Sequence, residues 1–360
     1  VTFIDPRAKV FRHLDRVVGW DRGERPMPVT VEWDLSNRCT LGCQDCHFAH
    51  THVKGPWATK PRTLPMAYEG TGDLADADLV FRALDEMAHA DGVQSIVWSG
   101  GGEPTTHPRW LEIVEYAATL GFEQGMYTLG GLLTDEAAIR LAKVASWVVV
   151  SLDAPDAETY AAEKGVPPVR FDAACHGITA LIGHRATVGV SFLIHAGNVH
   201  RCDDMLALSR SLGAHYTTFR PAIRTSPDRP GVPLDDRRWI GASLDAQFYS
   251  SLRRMADQPD VEIDLARFRE YAAWAGHGYT SCQGIQLNTT ITPDGRVWIC
   301  PQRRGVTPLG DLRTESFSAI WARHPKQFTV DAGCRVLCRL HPVNATLAAI
   351  RAPRAHEAFV

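Results

Sequence analysis

Apolar residues gather in six short runs, at 29–35, 94–99, 122–128, 146–152, 186–194 and 214–220. Such near-continuous runs are what strands buried on both faces of a sheet require. Between them, segments at about 73–91, 107–120, 134–144, 171–183 and 199–212 carry apolar residues at helical spacing. Strand and helix alternating in this way predict βαβ units and a parallel sheet. Six strands suit an open, partial (β/α)6 barrel better than a closed eight-stranded one. Chemistry in such sheets sits at the carboxyl ends of the strands.

The alternation then stops. The segment 224–236 is rich in proline and charge and reads as a linker, followed by a largely helical stretch to about 275. In 285–300, two β-prone runs flank Pro293-Asp294-Gly295, which signals a hairpin, and the tail from about 314 to 350 reads as helical. The chain thus divides into an N-terminal extension (1–27), the α/β partial barrel (28–223), a linker and helical segment (224–275), a small domain of hairpin plus helix (276–345) and a tail (346–360).

With 360 residues, 45% of them hydrophobic, the chain has ample core and needs no disulfides to fold. A net charge of −3 supplies no global field for nucleic acid or an anionic membrane. The arginine pairs at 237–238, 253–254 and 303–304 read as solvated surface. No signal-peptide pattern and no apolar run of membrane-spanning length occur, so a cytoplasmic location is expected. There, nine cysteines read as metal ligands or free thiols.

Cys39, Cys43 and Cys46 form C-x3-C-x2-C directly after the first predicted strand. Three thiolates can hold three irons of a [4Fe-4S] cluster and leave the fourth iron open. A zinc site completed by His47, His50 or His52 is the alternative. The third cysteine and the strand-end position favour iron–sulfur. Cys282, Cys300, Cys334 and Cys338 form a second group, C-x12-G-x4-C followed by C-x3-C. Spacing alone leaves iron–sulfur and zinc equal for it. Cys175 and Cys202 fall on predicted helices and read as small buried hydrophobes.

The first cysteine motif resembles the signature of the radical S-adenosylmethionine (SAM) superfamily. The resemblance covers roughly 28–222 and extends to further motifs. Gly101-Gly102-Glu103-Pro104 is similar to the family's GGEP motif, whose carbonyls and glutamate would accept hydrogen bonds from SAM's ammonium. "SLDAPDAETYAAEKG" (151–165) resembles the family's SLDG strand end. It implies that Ser151 contacts the SAM ribose with Asp153 close by. Lys164 stands where the family often has an arginine against the SAM carboxylate. Leu193, on the fifth strand, would pack on adenine. Two departures stand out. Asp45 occupies the usual aromatic position before the third cysteine, and Leu129 replaces the asparagine of a T-N-G motif.

The second cysteine group looks like the SPASM or twitch extension of such enzymes. Its four cysteines suffice for one auxiliary [4Fe-4S] cluster, which favours the twitch form. The resemblance implies a radical SAM enzyme that cleaves SAM reductively and abstracts a substrate hydrogen atom. An electron donor such as flavodoxin or ferredoxin would supply the electron. The auxiliary cluster would accept an electron from substrate, relay electrons to the first cluster, or simply hold its domain together. Lacking a visible N-terminal peptide-recognition domain, the sequence leans toward a small molecule, sugar or nucleotide as substrate. A peptide or a nucleic-acid base is the alternative within this chemistry, and a zinc-stapled binding module the alternative outside it.

The long segment from His47 to about 72 would shape the substrate cavity, with His50 or Lys54 orienting an anionic group. Arg220 and Arg224, near the end of the sixth strand, point to the same face. Arg220 is a candidate to bind a carboxylate of SAM or substrate, and His195, ending the fifth strand, is a candidate acid or base.

Overall fold

The computed structural model describes residues 6–43, 49–50, 69–70, 74–89, 92–195, 197–222, 246–263, 265–272, 277–331, 334 and 338–352. Cys46, Arg224, the loop residues His47, His52 and Lys54, and the 224–236 linker lie outside them. Ten strands join in one sheet. In chain order they are β1 (Thr30–Asp34), β2 (Ser95–Ser99), β3 (Glu123–Thr128), β4 (Trp147–Ser151), β5 (Thr187–Ile194), β6 (Tyr216–Pro221), β7 (Val261–Ile263), β8 (Asn288–Ile291), β9 (Arg296–Trp298) and β10 (Pro308–Asp311). Their order across the sheet is β10-β9-β8-β1-β2-β3-β4-β5-β6-β7. The two edges never meet, so the barrel is open, and β1 to β7 run parallel throughout.

The six expected strands form, joined by helices at Ala77–His89, Trp110–Thr119, Asp135–Val144, Ala157–Lys164, Val169–Leu181 and Cys202–Ser211. Side-chain caps fix several starts. Thr134 accepts from Ala137 N–H, and Asp156 accepts from Thr159 N–H. Three features depart from the sequence reading. The stretch to 275 is not simply helical, because β7 interrupts it and extends the parallel sheet beyond β6. A three-residue strand is too short for a period of two to stand out. The C-terminal hairpin is no separate layer either, since β8 pairs parallel with β1 (Thr30 with Asn288, Trp33 with Ile291). Finally, the tail is not helical throughout. Helices Phe317–Ala322 and His341–Arg351 flank a short strand, Phe328–Thr329, paired antiparallel with Ser281–Cys282.

Alternation sorts the parallel strands into two faces. Outward residues meet the helices. Trp98 Nε1 donates to Gln124 Oε1 (2.7 Å), and Gln124 Nε2 donates to the Val114 carbonyl (3.0 Å). Inward residues line the hollow. Its floor is aromatic: the Trp147 ring lies where a Cβ on Gly125 would come within 2.0 Å, and Tyr216 does the same at Gly189 at 2.3 Å. These glycines leave room for the two rings. Tyr127 packs edge-on to Trp147 at 5.0 Å.

The two domains are tied by several contacts. The carboxylate of Glu86, on the first barrel helix, accepts from Phe317 N–H (2.9 Å) and Ser318 N–H (3.0 Å), capping a C-terminal-domain helix. Trp321 donates to the Pro26 carbonyl, and Trp20 packs edge-on against both Trp321 and His324.

Candidate active site at the strand ends

The loop after β1 turns back on itself and carries Cys39 and Cys43, both half-buried. Leu41 N–H donates to Cys39 Sγ (3.4 Å), and Gly42 N–H donates to the Lys164 carbonyl (2.7 Å). Arg170 holds Thr40 (3.0 Å). The turn is therefore fixed from two neighbouring helices. An N–H aimed at sulfur suits a metal-bound thiolate.

The Gly101-Gly102-Glu103-Pro104 loop packs onto this turn. Glu103 N–H donates to the Arg38 carbonyl (2.7 Å), and a Cβ on Gly102 would sit 2.2 Å from that same oxygen. The glycines thus serve close approach of the two loops to one another. The Glu103 side chain is buried and accepts from Thr105 Oγ1 (2.6 Å), Thr128 Oγ1 (2.6 Å) and Leu129 N–H (2.8 Å). It clamps the end of β2 to the end of β3. Burial pushes its carboxyl above the usual range, against the pull of these donors. Leu129, at the departure from the family pattern, is tied into the same network through its backbone.

After β4, Asp153 adopts the left-handed region (φ 62°), the one non-glycine residue with positive φ among the described residues. Such a backbone costs roughly 1–3 kcal/mol and persists only where its surroundings fix it. Here Leu193 N–H donates to Asp153 Oδ1 (2.7 Å), and Lys164 Nζ pairs with Oδ2. Lys164 is buried. Burial opposes its charge, yet Asp153 and the nearby Cys43 sulfur hold the ammonium above its ordinary value. So Asp153, Lys164 and Leu193, expected separately around SAM, form one connected unit beside Cys43. Ser151, half-exposed, precedes them in register with Ser191.

His195 is buried, with Nδ1 accepting from Gly197 N–H (3.0 Å) and Nε2 facing Glu163 (3.3 Å). Both ring nitrogens are engaged in holding the end of β5. Arg220 reaches inward instead. Its guanidinium lies 5.5 Å from the centre of the Tyr127 ring and donates to the Tyr127 hydroxyl (3.4 Å).

Two ion pairs missed by the sequence reading link this face to the C-terminal domain. Asp34, at the end of β1, is fully buried and holds Arg304 at 3.2 Å. Arg304 is 3% exposed, which corrects the reading of 303–304 as solvated surface. Arg339 pairs with Glu32 inside the hollow. The signal was present: Glu32 and Asp34 alternate with Val31, Trp33 and Leu35, placing both carboxylates on one face of a buried strand. Burial raises the Asp34 carboxyl to about 6, against the field of Arg304.

The second cysteine group lies in an apolar pocket. Cys300 packs with Ile285, Ile299 and Leu340, and Cys282 and Cys338 lie against the same cluster. None of the four is in a disulfide. Burial, reinforced by neighbouring sulfurs, pushes the Cys282 thiol up to about 11 and Cys338 to about 12. Backbone N–H groups of Gly284 and Ile285 face Cys282, those of Gln302 and Arg303 face Cys300, and that of Leu340 faces Cys338. Among the described residues no three His, Cys, Asp or Glu side chains are already gathered closely enough to hold a metal ion. An all-sulfur donor set ringed by N–H groups fits an iron–sulfur cluster, whose positive core would offset the cost of burying thiolates. Cys175 and Cys202 sit on helices, and burial raises them to about 11 and about 12, as expected of inert thiols.

Comparison with known proteins agrees with this division. Residues 33–207 match the Radical SAM superfamily, and residues 282–339 match SPASM, an iron–sulfur cluster-binding domain. An AdoMet-dependent heme synthase from Methanosarcina barkeri is 25% identical, over 82% of this chain and 82% of the relative. The mycofactocin maturase MftC of Mycolicibacterium smegmatis is 27% identical over 84% of this chain and 69% of its own. The crystal structure of Streptococcus suis SuiB bound to precursor peptide SuiA shares the fold. It has a TM-score of 0.61 and 14% identity, covering 90% of this chain and 72% of that one.

Proposed function

Because this chain belongs to the radical SAM superfamily and carries a C-terminal SPASM domain, we propose that it matures a peptide by radical abstraction of a hydrogen atom. Bound iron–sulfur clusters and SAM would supply a one-electron reductant and a 5′-deoxyadenosyl radical. Cys39, Cys43 and Cys46 would hold the SAM-binding [4Fe-4S] cluster, and Cys282, Cys300, Cys334 and Cys338 the auxiliary one. The observation that carries this reading is the joining of the cysteine turn, the Glu103 clamp and the Asp153–Lys164 pair at one end of the parallel strands.

The residues divide the work. Gly101, Gly102 and Pro104 hold the β2 loop against the cysteine turn. Glu103 uses its remaining acceptor capacity for SAM's ammonium. Lys164 presents its charge beside Cys43 for SAM's carboxylate, steadied by Asp153. Ser151 meets the ribose, and Leu193 supplies an apolar wall for adenine. His195 acts as a positioning residue, because both its nitrogens are occupied. A flavodoxin or ferredoxin delivers the electron.

The peptide reading rests on the maturase relative, and on a shared fold that in SuiB accommodates a precursor peptide. A small-molecule substrate is the second reading. It is supported by the heme synthase, which aligns over most of both chains.

The test is anaerobic reconstitution followed by dithionite and SAM. About eight irons per chain and 5′-deoxyadenosine formation are expected. Both iron-dependent turnover and roughly half of the iron should vanish in Cys39→Ala/Cys43→Ala/Cys46→Ala. A colourless protein that binds only zinc overturns the proposal. Mass spectrometry after incubation with synthetic peptides, or with a low-molecular-mass extract, separates the two substrate classes.

A further inference from the structure

Arg220 is enclosed by protein, yet its side chain retains access to solvent. The same is true of Tyr127 beside it, while Arg339 is more open, its side chain 42% exposed. Side chains both enclosed and wettable line a hollow. This one lies above the aromatic floor of Trp147 and Tyr216, on the inward face of the parallel strands.

Among the described residues, the charges in it do not balance. Arg339 is matched by Glu32. Arg220 has no carboxylate at ion-pair distance among the described residues. Its contacts are the Tyr127 hydroxyl at 3.4 Å and the Tyr127 ring, and Glu262 on β7 acts on it only from farther away. A guanidinium does not shed its proton when buried, so enclosure without a counter-anion is costly. Its field is visible on its neighbour: burial works to raise the Tyr127 phenol, yet Arg220 and Arg339 together hold it below its ordinary value. Among the described residues, one of the five donors in the Arg220 fork is used.

We propose that this hollow is a carboxylate-binding subsite, in which Arg220 takes a carboxylate of the substrate two-pronged, Arg339 adds a second guanidinium from the C-terminal domain, and the Tyr127 hydroxyl completes the shell. The proposal rests on the enzymatic reading above and narrows its substrate to one bearing a free carboxylate. Arg339 directly follows Cys338, so the substrate's anionic end would touch both domains at once. SAM also carries a carboxylate, but Lys164 already stands for that group beside Cys43, on the β4 side of the barrel.

The probes are benzoate and benzamide, nearly the same shape and differing in charge. Their binding to the anaerobically loaded full chain, saturated with SAM, is followed by ligand-observed NMR. SAM affinity is measured separately by calorimetry. Benzoate should bind, and benzamide at least tenfold more weakly. Arg220→Gln and Arg339→Gln should each weaken benzoate at least tenfold and leave SAM affinity unchanged. Arg220→Lys should recover part of the loss, since it keeps the charge without the fork.

Equal binding of the two probes overturns the proposal, as does benzoate affinity unaltered in Arg220→Gln. A parallel fall in SAM affinity also overturns it, because the carboxylate would then be SAM's. Should Arg220→Gln fail to fold, Arg220→Lys and Arg339→Gln decide by the same criteria. Benzoate binding needs no turnover. Intact binding without 5′-deoxyadenosine formation would bring down the enzymatic reading and leave the subsite standing, and the reverse would bring down the subsite alone.

Discussion

The molecule uses cysteine twice, in surroundings that share little beyond sulfur. The turn after β1 is a polar cradle. Cys43 lies near a buried lysine, a strained aspartate stands behind it, and the turn is braced by the Lys164 carbonyl and the Arg170 side chain. Three of the C-terminal cysteines sit among Ile285, Ile299 and Leu340 with backbone N–H groups at their sulfurs, while the Asp331 side chain reaches Cys334. The contrast teaches that the charges around a metal site show what else it must hold. A cradle with a buried ion pair and a strained loop is built to receive a second, charged ligand. An apolar pocket lined by thiols is built to keep other charged ligands out.

The sharpest way to break that comparison is to delete cysteines from each side. Cys39→Ala/Cys43→Ala should abolish SAM cleavage and barely move the melting temperature, since the turn keeps its backbone contacts. Cys300→Ala should lower the melting temperature by many degrees and take the auxiliary iron with it, because a structural metal site contributes to folding directly. Calorimetry and iron counts on both variants check this. Equal losses of stability would erase the distinction.

Next in size is the contact that joins the two regions. Asp34→Asn leaves the buried Arg304 without its counter-charge and should cost about 3–5 kcal/mol in denaturant unfolding. The double change Asp34→Leu/Arg304→Met should recover most of that. Full recovery would mark the pair as a device for alignment rather than for stability.

The two regions should also answer acid with opposite signs. Burial holds the Asp34 carboxyl up at about 6, so the folded state binds its proton first, and this stabilisation is lost as pH rises from about 4 through 6. Burial holds the His324 imidazole down at about 4, so its contribution is present above about 6.5 and lost as pH falls toward 4. Each is worth up to about 3 kcal/mol, and between pH 4 and 6 they largely cancel. Unfolding of His324→Phe across that window should show stability rising on acidification. A flat profile would mean that the Asp34 carboxyl is not raised.

The smallest effect belongs to Glu86. Removing this bridging cap with Glu86→Ala should cost about 1 kcal/mol and leave iron content unchanged.

The order of strands in the barrel, and the position of both cysteine groups, were legible because their signals are local: apolar runs, helical spacing, and cysteines at fixed intervals. What escaped was non-local. Nothing in "NTTI" says that it will lie parallel to β1, and nothing in "RR" at 303–304 says that the second arginine will meet Asp34. The pairing of Asp153 with Lys164 was nearly readable, since both residues stood out singly. Their union depends on a left-handed aspartate that no pattern announces. Peptide against small molecule was not legible at all. It depends on relatives, and both a maturase and a heme synthase align with most of the chain.

The parallel seat of β8 against β1 has a consequence for how the chain is made. β1 leaves the ribosome early, and its second neighbour is among the later strands to be synthesised. Until then one side of β1 presents bare amide and carbonyl groups, with the cysteine turn at its tip. A chain interrupted before Asn288 would keep that edge open, exposed to aggregation and to premature oxidation of its thiols. The C-terminal domain thus closes the open side of the strand that carries the cysteine turn.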